Sequence, residues 1–101
     1  MSASLTHEAF LAHLHSKFQL QEGAVETAEL ELTDVSSLLR TDNQEAYSIT
    51  FCGPASFVFE QRIHRLDHAQ MGAFDIFLVP VARDGEGVYY EAVFNRLISS
   101  K

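Results

Sequence analysis

At 101 residues, 47% hydrophobic and 21% charged, the chain has the size of one domain and enough apolar mass to build a core without disulfide or metal. Fourteen acidic residues against seven basic ones give a formal charge of −7, which opposes binding to phosphate backbones or anionic lipid and favours a basic protein partner. Cys52 is the only cysteine, which excludes an intramolecular disulfide and fits a reducing compartment.

The acidity is uneven. Residues 1–50 carry eight acids and two bases, whereas residues 51–101 carry six and five. Met1 to Leu5 has neither a basic start nor a long apolar run, so no signal peptide is expected. The longest apolar stretch, Ile76 to Ala82, contains Pro80 and is too short to span a bilayer. These features predict a single cytoplasmic domain over 1–101.

A helix is expected first, over about 6–16. Thr6 is a suitable N-cap, Glu8 suits the positive helix end, and Leu5 with Phe10 has the spacing of a hydrophobic staple. Phe10, Leu11 and Leu14 form an apolar stripe of helical period. About ten residues of helix are marginal alone and must pack on something.

From Lys17 onward the period becomes two. Phe18 and Leu20 alternate with Lys17, Gln19 and Gln21 before a turn at Glu22-Gly23, and Ala28, Leu30 and Leu32 alternate with Glu29, Glu31 and Thr33. Asp34 to Glu45 is polar and irregular, with room for a short helical turn. Tyr47, Ile49 and Phe51 then mark a strand that Gly53-Pro54 breaks. Phe57, Phe59 and Ile63 share one parity; Val58, Glu60, Arg62 and His64 share the other.

Phe74 to Val81 is apolar at nearly every position, as expected of a strand covered on both sides, with Pro80 near its end or at an edge. Arg83 to Gly87 is a loop, and Val88 to Asn95 completes a hairpin. One helix and about six strands within 17–97 predict an α+β fold. The preferred form is an N-terminal helix on a strongly curved, mainly antiparallel sheet or small, partly open β-barrel. A two-layer α+β sandwich is the alternative.

The densest polar cluster runs from Arg62 to His68. With Glu60 it can form a charged stripe able to hold a carboxylate-bearing peptide or small anion through Arg62, His64, Arg65, Asp67 and His68. The competing expectation is a solvated strand face followed by a turn, with Asp67 or His68 bonding to backbone. A zinc or iron site would draw on His64, Asp67 and His68, but the two imidazoles share a helical face and the segment favours strand. No metal and no cofactor are expected.

Cys52 would act as a nucleophile only with a base beside it, and no residue pattern supplies one. Asp75 needs a partner such as Arg62, Arg96 or a backbone N–H if buried. Tyr89 and Tyr90 point to opposite faces, leaving one of them as an exposed anchor, with Tyr89 the candidate binding residue. No catalytic residue is assigned.

Phe51-Cys52-Gly53-Pro54, Gln61, His68 with Gly72, Phe77-Leu78-Val79-Pro80 and Tyr90-Glu91-Ala92-Val93-Phe94-Asn95 resemble an uncharacterised small bacterial family, catalogued only as a domain of unknown function. The resemblance covers Leu30 to Leu97. It implies a bacterial source, a small standalone protein and neighbours resembling phage-tail components.

The expected function is a small non-enzymatic protein-binding or adaptor module that pairs through an exposed strand edge, with a homodimer as its simplest form. The alternatives are a metal-binding protein or enzyme using His64, Asp67 and His68, and an accessory protein of a phage-tail-like assembly.

Overall fold

A computed structural model describes residues 6–22 and 26–97. A six-residue helix, α1 (His7–Ala12), precedes seven strands: β1 (Lys17–Glu22), β2 (Glu26–Val35), β3 (Leu39–Arg40), β4 (Gln44–Gly53), β5 (Arg62–His68), β6 (Gly72–Asp84) and β7 (Gly87–Leu97). All are joined in one antiparallel sheet of order β2-β1-β5-β6-β7-β4-β3. A further pairing of β2 with β4, from Glu31↔Cys52 to Val35↔Ile49, closes the sheet on itself. The protein is therefore mainly β: a closed six-stranded barrel with β3 attached to β4. The expected α+β class and partly open sheet are corrected accordingly.

The helix is shorter than the stripe of Phe10, Leu11 and Leu14 suggests. Thr6 does cap it, its Oγ1 accepting from the Ala9 amide at 3.0 Å. After Ala12 the sheet captures the chain: the His15 amide donates to the Leu32 carbonyl at 2.7 Å, and Leu32 returns a bond to Ser16 at 3.1 Å. His15 takes φ +73° to make that change of direction. The staple residue Leu5 and the turn glycine Gly23 lie outside the described residues.

The core follows the alternation. Phe18 and Leu20 from β1, Leu30 and Leu32 from β2, Ile49 and Phe51 from β4, Leu66, Leu78 and Tyr90 all point inward and are fully buried. Phe10 plugs one end, meeting Phe74 edge-on at 6.1 Å and Phe94 at 5.5 Å between ring centres. Phe59 closes the other end, where its amide donates to the Tyr90 hydroxyl at 2.9 Å. Gly53 faces inward as well: a Cβ there would stand 2.8 Å from a Leu30 methyl, so the missing side chain makes room for core packing.

Four expectations change. The Asp34–Glu45 segment holds strand β3, not a helical turn. β5 begins only at Arg62, so Ile63 points outward at 62% exposure while Phe59 is buried from a loop; the shared parity of Phe57, Phe59 and Ile63 does not exist. β6 is covered on one side only, with Ile76 and Leu78 inside but Phe77 and Val81 outside. Pro80 is neither at an end nor at an edge. It occupies a register shift between Pro80 and Ala82, where the strand tolerates its missing donor.

Closure also removes the exposed edges expected to recruit a partner. Among the described strands, only β3 is bonded along one side alone.

Candidate functional site

The expected binding cluster is split by the pleat of β5. His64 and His68 point into the barrel and are buried, whereas Arg65 and Asp67 point out. Arg62, the first residue of β5, is exposed and pairs in register with Leu78, and Glu60 lies in the preceding loop. The Nε2 of His64 donates to the Glu60 carbonyl at 2.8 Å, and its ring meets Phe59 edge-on. Arg65 Nε reaches Asp75 Oδ1 at 3.1 Å, an exposed pair directly across the β5–β6 ladder. Asp75 thus has Arg65 as a partner.

His64 and His68 lie four strand residues apart, or about 13 Å along the chain, and Asp67 faces the opposite way. The three do not converge on a point that a metal could occupy, and among the described residues no other group of three His, Cys, Asp or Glu side chains does. Tyr89 is half-buried and donates its hydroxyl to Asp84 Oδ2 at 3.1 Å, a bond that pushes its own pKa up to about 12. Burial raises the Cys52 thiol, so the sulfur is held in its less nucleophilic form.

His68 has a structural task that its neighbours define. Its Nδ1 accepts from the amides of Gln70 and Met71 at 3.0 and 3.2 Å, shaping the β5–β6 turn that Gly72 completes at φ +81°. With Nδ1 so used, the ring proton sits on Nε2, 3.0 Å from Ser16 Oγ, and that hydroxyl donates to the His13 carbonyl at 2.5 Å. One neutral imidazole therefore ties the turn after α1 to the far hairpin.

Desolvation and then the nearby His13 lower the His68 pKa from its ordinary 6.5, against a smaller opposite pull from Asp67. A base lowered on folding contributes stability that is complete above 6.5 and declines as pH falls below that value. Thermal melts across pH 4.5–8 should show this decline. His68→Gln, whose carbonyl can still accept from the turn amides, should remove it and leave only the lower limb set by carboxylates such as Glu45 and Asp84. An unchanged upper limb in that variant would assign it to another group.

Two features lie outside the expected cluster. The first is an uncovered apolar row on the outer wall. Ile63 pairs with Phe77 across β5–β6, and Val93 pairs with Ser48 across β7–β4; Val93 is 69% exposed. Val79 and Leu39 extend the row on either side. Two shallow grooves of about 350 and 280 Å³ run along it and meet at Glu91 and Val93. Glu91 pairs in register with Val79 and Thr50, and its carboxylate has no hydrogen bond or ion pair within the described residues.

The second feature lies at the helix end of the barrel. Arg40, Glu45 and Arg96 form a row across β3, β4 and β7 as consecutive register partners. Both guanidiniums donate to Glu45 Oε2, at 3.2 and 3.3 Å. Burial pushes the Glu45 carboxyl up, but the bonds from Arg96 and Arg40 outweigh it and hold the group below its ordinary range. The signal for this row was available in sequence: Glu45 shares the inward parity of Tyr47, Ile49 and Phe51, and Arg96 that of Tyr90, Ala92 and Phe94.

No helix among the described residues is long and apolar enough to cross a membrane. No curated protein and no solved structure matches the chain. The resemblance to an uncharacterised family is borne out, and it extends further toward the N-terminus than the motifs from Leu30 indicated. Residues 5–94 match the family described as Domain of unknown function (DUF6916), and the chain belongs to that family.

Proposed function

We propose that the protein is a non-enzymatic binding module that receives a protein partner on the outer wall formed by β5, β6, β7 and β4. The observation that supports this is the exposed row of Ile63, Phe77 and Val93 around Glu91, which has no ion pair or hydrogen bond among the described residues. Large apolar side chains grouped on one face, beside a carboxylate without a counter-charge, match a partner that presents Lys or Arg among apolar residues. Docking would bury the apolar row and pair Glu91 together. The partner engages side chains on the sheet face, because barrel closure leaves little strand edge to extend.

Site-specific photo-crosslinking in the cells that make the protein tests this. A crosslinker at Val93 should trap one discrete protein, and one at Glu29, on the exposed face of β2, should not. Glu91→Lys should reduce the Val93 product about tenfold or more, as reversal of one desolvated interface charge does. Equal trapping from Val93 and Glu29, or none, would overturn the proposal. A product of twice the chain mass would replace the basic partner with a second copy of this chain.

A further inference from the structure

The helix end of the barrel holds a small pocket of about 110 Å³ among Thr6, His7, Tyr47, Phe94 and Arg96, with Glu45 in its wall. Tyr47 is 9% exposed, and its hydroxyl is buried with no hydrogen-bond partner among the described residues. Its ring is fixed by stacking on Phe94 at 4.8 Å and by the edge of His7 at 5.1 Å. Burial and the adjoining Glu45 carboxylate raise its pKa to about 12, against the pull of Arg96, so the hydroxyl is a donor at neutral pH. A buried donor left unpaired is costly, and such groups in native proteins call for a partner.

The charge beside it is also incomplete. Arg40 and Arg96 share one oxygen of a single carboxylate, so the row itself carries one surplus positive charge, with Glu8 as an exposed second carboxylate in the adjoining groove. Each guanidinium has five N–H donors and uses few of them here. The His7 Nε2 donates to the Ser36 carbonyl at 2.7 Å, which holds that ring at the pocket's edge.

We propose that this pocket binds a small monocarboxylate, whose carboxylate accepts from the Tyr47 hydroxyl and an Arg96 N–H. Two donors lining one pocket, one of them a guanidinium with unused N–H groups, suit an acceptor-only group such as a carboxylate. The pocket is smaller than the cavity of about 150 Å³ that admits benzene, so it takes a head group of a few heavy atoms. Beyond it, a wider groove shares Thr6, His7, Glu45 and Arg96 with the pocket and is walled by Glu8, Leu11, Leu38 and Arg40. That groove takes a short apolar stem.

NMR titration of the full chain with acetate, butyrate and hexanoate, with inorganic phosphate as the comparison anion, tests the assignment. Saturable shifts at Tyr47, His7 and Arg96 are expected, with affinity rising from acetate to hexanoate. Tyr47→Phe keeps the ring and its stacking, so it folds, and should weaken hexanoate about tenfold, as loss of one hydrogen bond to a charged group does. Arg96→Gln should weaken it at least as much while Arg40 still pairs Glu45. No saturation by any carboxylate, equal affinity in Tyr47→Phe, or tighter binding of phosphate would each overturn the proposal. The outer wall is not involved, so the outcome is independent of protein docking there.

Discussion

Phe10→Ala is expected to lower stability by about 3–5 kcal/mol, the usual cost of truncating a fully buried phenylalanine. That is a large part of the total for a domain of this size, which is about 5–15 kcal/mol. The reason is the dependence of α1 on one side chain. A helix of six residues has no stability of its own, and Phe10 is its only buried residue. Phe10 reaches Tyr47, Phe74 and Phe94, so its loss removes the plug and loosens the aromatic wall behind the pocket together. Thermal or urea melts measure the effect, and Leu11→Ala is the control, since Leu11 is 49% exposed on the same helix. Similar losses in both variants would show that the helix is not anchored through Phe10.

Gly87→Ala should cost about 3 kcal/mol, at the upper end of what overpacking does. A Cβ at Gly87 would collide with the Gly53 carbonyl oxygen and stand 2.8 Å from Cys52 Sγ. The obstacle is backbone in the neighbouring strand, so no rotamer change relieves it. β7 would have to move away from β4 at the point where Gly53 pairs with Val88. The turn cannot absorb the shift cheaply, because Asp84 Oδ1 already accepts from the Glu86 and Gly87 amides at 2.8 and 3.3 Å. Gly85→Ala is the control: nothing lies within 4 Å of a Cβ there, so it should change stability by less than about 0.5 kcal/mol. Equal melting of the two variants would mean that the strands separate without cost.

What was legible in the sequence was the alternation, and it carried the strand assignments and most of the core. Tyr47, Ile49 and Phe51 face in as their spacing implied, and Tyr89 and Tyr90 divide between the two sides of the wall. Closure was not legible, because it depends on Leu32 finding Phe51 across the β2–β4 seam, a pairing that no local pattern encodes. The apolar run of β6 was visible but carried the wrong meaning. Strands buried on both faces and strands with one apolar face left bare can share a composition, and only the barrel's shape shows that Phe77 is outside.

The candidate sites were harder to read for a related reason. Arg62 to His68 is dense in polar residues along the chain, but the pleat sends His64 and His68 inward and Arg65 and Asp67 outward. Arg40, Glu45 and Arg96 are scattered in sequence and meet only across three strands. Proximity along a strand separates side chains that proximity across strands brings together.

Closure through β7 has a consequence for the order of assembly. β7 lies last among the described strands and bonds to both β4 and β6, so the cylinder cannot be sealed before it is made. On the ribosome, the β1–β2 hairpin forms early, while β4 waits with an open flank for a strand still to be translated. Such distant pairings put a domain among the slower folders, at about milliseconds to seconds. During that interval the nascent chain shows bare backbone that the finished barrel conceals, and it is then that a chaperone has most to protect.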